Sequence, residues 1–246
     1  MSEIVQIDAD RPDPGIIRQA CELLEAGKLV GVPTETVYGI ACAPEHLEKL
    51  YCAKERDRGK PIARLAASLE QVEALGAEFG KDGRALAEKY WPGPLTLVLN
   101  TPEGTTGFRV PAHKVPLALA RAFGRPIALT SANKSGGTDA VTAQEAFQCF
   151  QGLEPTASDF RASLSSDAKR FQGSENPVAL YLESFQTSGN SRPVFPSIGK
   201  EKQTATQLPS TVVQCLPALN GVKRGPETKV LREGAIPAEE IYASLC

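Results

Sequence analysis

Two short segments of the sequence combine residue types that could bind an anionic ligand. Residues 33–39 have the sequence PTETVYG, in which hydroxyl groups and free backbone N–H groups follow a short apolar stretch. Residues 54–60 have the sequence KERDRGK, with four basic side chains at the end of a predicted helix. Arginine offers a planar fork to phosphate oxygens, and lysine offers a point charge. The functional interpretation is a polyphosphate clamp beside a pocket lined by hydroxyls.

Each segment also has an interpretation without a ligand. Thr34 or Thr36 could cap a short helix that has Glu35 in its first turn, and for this segment alone that interpretation is the stronger one. Basic residues at a helix C-terminus are stabilising by themselves, so residues 54–60 could be a solvated helix end. Taken alone, neither segment establishes a site.

Two further segments place polar residues in apolar surroundings. Arg109 lies within FRVP (108–111), where it could reach solvent from an edge strand or hold a ligand carboxylate by a bidentate contact. Residues 130–137, TSANKSGG, follow an apolar strand, and their small side chains would let the backbone approach a phosphate or ribose closely. A loop with Asx and Ser turns explains the same residues. Their order is not that of a Walker A loop.

The composition restricts the class of protein. The 246 residues carry a formal net charge of −2, with 41% hydrophobic and 23% charged residues, which is typical of a globular protein and argues against bulk polyanion binding. No signal peptide and no apolar stretch of membrane-spanning length are visible, so a cytoplasmic protein is expected. The six cysteines form no C-x-x-C pair and are predicted to be free buried thiols. With two histidines and no matching spacing, no metal site made of protein ligands is expected.

Alternating helix and strand patterns predict an α/β fold with a mixed sheet. The first predicted helix follows the cap Asp13-Pro14 and ends before Gly27, and further helices are predicted at 45–55, 69–75, 83–90, 115–123, 142–150 and 238–245. The predicted strands are 29–32, 62–67, 95–99, 108–110, 127–130, 211–213 and 229–232. Residues 151–209 are rich in Ser, Gln, Pro and Gly and are predicted to be an irregular insertion, with an apolar island at 178–182, in a single domain spanning 1–246.

Seven segments occur in an order that is found in a known protein family. They are PTETVYG (33–39), K-x-R with KPI (54–62), WPGPLTLVL (91–99), FRVP (108–111), TSANKSG (130–136), STVV (210–213) and VLREG (230–234). They resemble the YrdC-type threonylcarbamoyl-AMP synthases, almost continuously from residue 15 to residue 145. The resemblance implies a YrdC-like twisted mixed β-sheet with flanking helices around a concave cleft. It also implies that L-threonine, bicarbonate and ATP are condensed to threonylcarbamoyl-AMP and pyrophosphate, for threonylcarbamoyladenosine modification of tRNA.

The resemblance assigns roles to individual residues. Lys54 and Arg56 would be catalytic. The residues that would contact ATP are Arg56, Lys60, Thr105, Ser131, Asn133 and Arg232. The residues that would contact threonine are Thr34, Thr36, Arg109 and Ser210. Mg²⁺ would enter with ATP, and the product would pass to downstream tRNA threonylcarbamoyl transferase machinery.

The sequence departs from the family pattern in its last third, and two other functions stay open. The family's usual Asp-Gly-Gly type segment is missing from 151–209, while Gln214 and Glu233 replace a common Asp and a common Pro. One alternative is a YrdC-like module that binds RNA at the cleft without synthase activity, which predicts salt-sensitive RNA binding. The other is a carbamoyl-transfer module of a hydrogenase-maturation enzyme, which usually carries additional domains and zinc-type cysteine motifs.

Overall fold

The computed structural model of the chain describes residues 3–150, 178–185, 208–216 and 228–245. The strands in these ranges are β1 (Glu3–Asp8), β2 (Leu29–Val32), β3 (Gly39–Cys42), β4 (Ala63–Leu65), β5 (Leu95–Thr101), β6 (Gly104–Arg109), β7 (Ile127–Ser131), β8 (Val178–Phe185), β9 (Thr211–Cys215) and β10 (Thr228–Arg232). The helices are α1 (Pro14–Glu25), α2 (Leu47–Lys54), α3 (Leu69–Glu73), α4 (Gly80–Tyr90), α5 (Lys114–Phe123), α6 (Ala143–Phe150) and α7 (Ala238–Ala243).

All described strands belong to one mixed sheet, in the order β1-β8-β2-β3-β7-β4-β6-β5-β9-β10. The pairs β1–β8, β8–β2, β4–β6 and β5–β9 are parallel. The remaining neighbours, β2–β3, β3–β7, β7–β4, β6–β5 and β9–β10, are antiparallel. The predicted fold class, a twisted mixed sheet with flanking helices, is confirmed.

Helices cover the two halves of the sheet differently. Around β2, β3 and β7, helices α1 and α5 pack on one face, and α2 and α6 pack on the other. Around β5, β6 and β9, helices α4 and α7 pack on one face through an apolar cluster that includes Leu97, Phe108 and Val213. The opposite face of this half stays open and forms the cleft described below.

Local sequence signals explain where helices begin and end. The side chain of Asp13 accepts hydrogen bonds from the backbone N–H groups of Gly15 and Ile16, and Pro14 occupies the first helical position of α1, as predicted. Helix α2 ends at Glu55, which adopts a left-handed conformation with φ of 51°. This sharp end turns the chain directly into the basic segment that begins with Arg56.

Four strands differ from the sequence predictions. The apolar island at 178–182 is the centre of β8, which lies between β1 and β2 and is therefore part of the sheet. Apart from β8 and residues 208 and 209, the predicted insertion lies outside the described residues. Strands β1 and β3 were not predicted, and β6 begins at Gly104 rather than at Phe108.

The described cysteines are free thiols, and the prediction that they are buried holds for three of them. Cys21, Cys42 and Cys215 are buried, whereas Cys52 is exposed and Cys149 is half-buried. Burial raises the pKa of the Cys42 thiol to about 12 and that of the Cys215 thiol to about 11, so both are protonated at neutral pH. In the described ranges, no helix is long and apolar enough to cross a membrane.

Candidate active site

The open face of the sheet forms a cleft of about 260 Å³. Because successive residues of a strand point to opposite faces, Thr96 and Val98 of β5 line the cleft while Leu97 packs in the apolar cluster against the helices. Strand β6 alternates in the same way, with Thr105, Gly107 and Arg109 on the cleft side. The cleft is thus a direct product of strand alternation in sequences such as LTLVL.

The loop after β2 presents two hydroxyl groups to the cleft. The Thr34 hydroxyl donates to the carbonyl of Val37 at 2.6 Å and accepts from the N–H of Thr36 at 3.2 Å. These bonds close a turn of the Ser/Thr type, and no helix follows it. The interpretation as a helix cap is therefore wrong. The hydroxyls of Thr34 and Thr36 lie 3.0 Å apart, and both residues line the cleft.

Arg109 lies at this same end of the cleft and is buried. It belongs to β6, which has β4 and β5 on its two sides, so the interpretation as an edge-strand residue reaching solvent is wrong. Its Nε donates to the carbonyl of Gly93 at 3.2 Å, and its Nη1 donates to the Thr36 hydroxyl at 3.0 Å. Its Nη2 lies 2.8 Å from Oε1 of Glu35. The guanidinium is thus fixed by two loops and faces the cleft.

Lys54 does not line the cleft, contrary to the expectation that it faces the phosphates. It is 1% exposed and lies behind the loop that follows β7. Its ammonium donates to the carbonyls of Ser131 and Asn133 and, at 2.8 Å, to Oδ1 of Asn133. A lysine ammonium has three protons, so these oxygens use its donor capacity fully. Burial, followed by the positive charge of Arg56, lowers the pKa of Lys54 to about 8.

The loop after β7 is organised by the side chain of Asn133. Its Oδ1 accepts from the Ser131 hydroxyl at 2.7 Å, and its Nδ2 donates to the Gly137 carbonyl at 2.6 Å and to Oδ1 of Asp139 at 3.0 Å. Asn133 is buried and does not line the cleft, whereas Ser131 and Asp139 do. Asn133 therefore shapes this wall of the cleft from behind, together with Lys54.

Within the basic segment, only Arg56 reaches the cleft. Its guanidinium donates to the carbonyls of Lys60 at 3.0 Å and Pro61 at 3.1 Å. The Lys60 side chain is exposed and does not line the cleft. Arg58 forms an exposed ion pair with Glu48 at 2.6 Å. The solvated-end interpretation thus fits Arg58 and Lys60, and the cleft interpretation fits Arg56.

The opposite wall comes from the last strands. The Ser210 hydroxyl lies 2.9 Å from the Thr96 hydroxyl, because β9 pairs with β5 directly beyond Ser210. The Arg232 guanidinium donates to the Ser210 carbonyl through Nη2 at 2.7 Å and Nε at 3.2 Å. Burial lowers the pKa of Arg232, and the nearby carboxylate of Asp139 opposes this shift. Ser210 and Arg232 therefore join the cleft despite the departures at Gln214 and Glu233.

The structure brings together most of the residues predicted from sequence. The predicted residues that line the cleft are Thr34, Thr36, Arg56, Thr105, Arg109, Ser131, Ser210 and Arg232. Sequence reasoning missed Asp139, Thr96 and Arg64, which also line it, and Glu35 as a partner of Arg109. The alternation of polar and apolar residues in LTLVL could have indicated Thr96, but no local signal marks Asp139.

Comparison with known proteins agrees with this geometry. The family model Sua5_yciO_yrdC, described as "Telomere recombination", matches residues 22–155. A threonylcarbamoyl-AMP synthase of Pyrococcus abyssi is 38% identical over 149 residues, which are 55% of this chain and 44% of that relative. One of Thiobacillus denitrificans is 36% identical over 140 residues, which are 52% of this chain and 74% of the relative. The match spans less than half of the relatives from P. abyssi and Bacillus subtilis, at 44% and 43%.

Solved structures show the same fold. P. abyssi Sua5 complexed with L-threonine has a TM-score of 0.72 at 28% identity, and the match covers 99% of this chain and 61% of that one. Escherichia coli YciO has a TM-score of 0.67 at 20% identity, covers 98% of this chain and 100% of its own, and shows the fold alone. Because the family model matches more than half of the 246 residues, this chain belongs to the Sua5/YciO/YrdC family.

Proposed function

We propose that this protein is a threonylcarbamoyl-AMP synthase, which joins L-threonine, bicarbonate and ATP and releases pyrophosphate. The observation that carries the proposal is the pairing, in one cleft, of a hydroxyl-lined end at Thr34 and Thr36 with an arginine-lined wall at Arg56 and Arg232. The first suits a small amino acid, and the second suits a polyphosphate. The curated relatives with this name and the threonine complex of P. abyssi Sua5 support the same assignment.

The reaction needs positioning and charge stabilisation more than an enzyme nucleophile. The threonine amine reacts with bicarbonate to give a carbamate and water, and a carbamate oxygen then attacks the α-phosphorus of ATP, with pyrophosphate as the leaving group. Arg109 would bind the threonine carboxylate, and Thr34, Thr36 and Ser210 would contact its polar groups. Arg56 and Arg232 would stabilise the charge that accumulates on the leaving pyrophosphate.

Lys54 and Asn133 act in this scheme through the residues that they hold. Lys54 supports the carbonyl of Ser131, and Asn133 supports both Ser131 and Asp139. Ser131 and Thr105 remain direct candidates for ATP contacts because both line the cleft. Lys60, whose exposed side chain lies outside the cleft, contributes its backbone carbonyl to Arg56.

A divalent cation fits the donors of the cleft. Among the described residues, no group of three metal-binding side chains occurs, so a protein cage for a metal is not indicated there. Mg²⁺ is commonly held by one or two carboxylates together with substrate phosphates, and Asp139 supplies a carboxylate that lines the cleft. Asp139 would thus hold Mg²⁺ brought by ATP, and the ion would neutralise charge on the phosphates.

The same proposal includes the partners and the location. The product would pass to a tRNA threonylcarbamoyl transferase, which makes the cytoplasm the expected location and allows a tRNA contact at the cleft. A binding module without chemistry is the competing function, but no described residue favours it over the synthase. The hydrogenase-maturation alternative rests on fold likeness alone, since the structure of a full-length HypF is 17% identical.

One assay tests the proposed function. The purified chain is incubated with ATP, Mg²⁺ and bicarbonate and with each amino acid in turn, and pyrophosphate is followed. We expect release that requires both threonine and bicarbonate. An Arg109→Met variant should lose the threonine-dependent release, because the threonine carboxylate loses the positive charge of the guanidinium that would bind it. Salt-sensitive RNA binding in the absence of any pyrophosphate release would instead support the binding module.

A further inference from the structure

Glu35 is the carboxylate that stands against the buried arginine of the cleft. Its Oε1 lies 2.8 Å from Nη2 of Arg109 and accepts from the N–H of Ala112 at 2.9 Å. The side chains of Glu35 and Arg109 are 16% and 9% exposed, respectively, so their charges are poorly screened by solvent. Glu35 itself does not line the cleft, whereas Arg109 does. The carboxylate therefore sets the net charge behind the amino-acid end of the cleft.

The pair leaves hydrogen-bonding capacity unused. Nη2 of Arg109 lies 2.8 Å from Oε1 of Glu35 but makes no well-aligned hydrogen bond among the described residues, and Oε2 of Glu35 has no donor there; both atoms are buried. Because Nη2 is buried against Glu35, Arg109 acts on a ligand in the cleft mainly through its positive charge, and the adjacent carboxylate offsets that charge. The Nε and Nη1 bonds to Gly93 and Thr36 hold the guanidinium in this position.

The other arginines of the cleft differ in their partners. Arg56 donates to the carbonyls of Lys60 and Pro61, and Arg232 donates to the carbonyl of Ser210. In the described ranges, neither forms an ion pair with a carboxylate, although the Asp139 carboxylate is close enough to Arg232 to act against the lowering of its pKa. The cleft therefore has an end at which Arg109 is paired directly with a carboxylate and a wall at which Arg56 and Arg232 are not.

We propose that Glu35 determines specificity at the amino-acid end by compensating Arg109, so that this end accepts a carboxylate monoanion and rejects phosphate. A multiply charged phosphate is attracted by a free guanidinium but repelled by the adjacent carboxylate, whereas a singly charged carboxylate is repelled less. Glu35 is thus a positioning residue that acts through Arg109. The inference rests on the proposed function for the identity of the amino acid.

The test measures phosphate competition in the full chain. Threonine-dependent pyrophosphate release is titrated with inorganic phosphate in wild type, Glu35→Gln, Glu35→Asp and the control Glu45→Gln, which removes an exposed carboxylate partner of Arg125. In wild type and the control, phosphate should raise the KM for ATP and leave the KM for threonine unchanged. In Glu35→Gln, phosphate should compete with threonine and bind about tenfold more tightly or better. Glu35→Asp, which keeps the charge, should behave like wild type.

Two outcomes overturn the proposal. One is competition between phosphate and threonine already in wild type, a result that does not depend on whether Glu35→Gln folds. The other is an equal loss of threonine affinity in Glu35→Gln and Glu35→Asp without phosphate competition, which would give Glu35 a merely structural role.

Binding is also followed without catalysis, through the fluorescence of Trp91, the single tryptophan. It lies two residues before Gly93, whose carbonyl accepts from Arg109. If wild type releases no pyrophosphate, the proposed function fails. Titrations of this fluorescence with threonine and with phosphate still show whether the end of the cleft at Arg109 binds threonine and rejects phosphate.

Discussion

The burial of Lys54 allows an experiment that distinguishes two roles for this residue: holding the loop after β7 in place, or contacting ATP directly. Lys54→Met keeps most of the side-chain volume and removes the ammonium. Three oxygens, the carbonyls of Ser131 and Asn133 and the Oδ1 of Asn133, then lose their donor. We expect the variant to fold, to be less stable than wild type, and to bind ATP less tightly.

The magnitude follows from two opposing contributions. Hydrogen bonds from a charged donor contribute about 1.5–3 kcal/mol each, so three of them amount to roughly 4.5–9 kcal/mol. Against this, burial lowers the pKa of Lys54 from 10.5 to about 8, which corresponds to roughly 3 kcal/mol that the buried charge costs. The balance is a loss of roughly 1.5–6 kcal/mol of unfolding free energy, with a midpoint of about 4 kcal/mol. For a chain of this size that is roughly a 10 °C fall in Tm.

Thermal unfolding and steady-state kinetics are measured together. Lys134→Met is the matched control, because Lys134 lies on the same loop and its ion pair with Glu55 is exposed, so its removal should change little. Lys54→Met should raise the KM for ATP, and adding Asn133→Ala should have little further effect, since both changes release the same loop. If Lys54→Met had wild-type stability but released no pyrophosphate, the reasoning would be refuted. Direct contact between Lys54 and a phosphate of ATP would then explain the result better.

Three further predictions address the opposite wall and the surface. Arg232→Lys loses the forked contact with the Ser210 carbonyl, so the KM for ATP should rise about tenfold in the pyrophosphate assay; an unchanged KM would remove Arg232 from the ATP site. Gly234→Ala would place a Cβ 2.1 Å from the carbonyl oxygen of Pro209, so a loss of at least about 2 kcal/mol in chemical denaturation is expected, and wild-type stability would contradict it. The hydrogen bond from Arg125 lowers the pKa of Glu45 to about 2, so its stabilisation is present above about pH 4.5 and lost as the pH falls towards 2. The stability difference between wild type and Glu45→Gln should therefore shrink over that range, and a constant difference would argue against the ion pair.

Local sequence signals were sufficient for the elements that depend on neighbouring residues. The cap at Asp13-Pro14 and the apolar run at 95–99 both appear where they were predicted, because each is determined by side chains within a few positions. Strand β8 could be recognised only as an apolar island. Its place between β1 and β2 depends on partners about 150 or more residues away in the sequence, which no local pattern specifies.

The site shows the same division between local and distant information. Arg109 was singled out because an arginine between apolar residues is unusual, whereas Thr34 was assigned to a site only by the family resemblance; both line one cleft in the structure. The prediction that Lys54 faces the phosphates failed because the sequence of a helix C-terminus does not indicate which side of the last turn is covered by another segment of the chain. The loop after β7 covers that side, and it is joined to α2 by a bond from the N–H of Ser135 to the carbonyl of Lys54 at 3.1 Å.

The positions of Ser210 and Arg232 show why divergence in the late segments need not remove them from the cleft. Ser210 is placed by the parallel pairing of β9 with β5 and Arg232 by the antiparallel pairing of β10 with β9; both pairings use backbone groups and not the side chains of Gln214 and Glu233. Residue 234 must be a glycine, because a Cβ there would collide with the carbonyl groups of Pro209 and Ser210. The wall is therefore fixed by backbone pairing and one glycine, so the side chains around it can change while the Ser210–Arg232 contact persists.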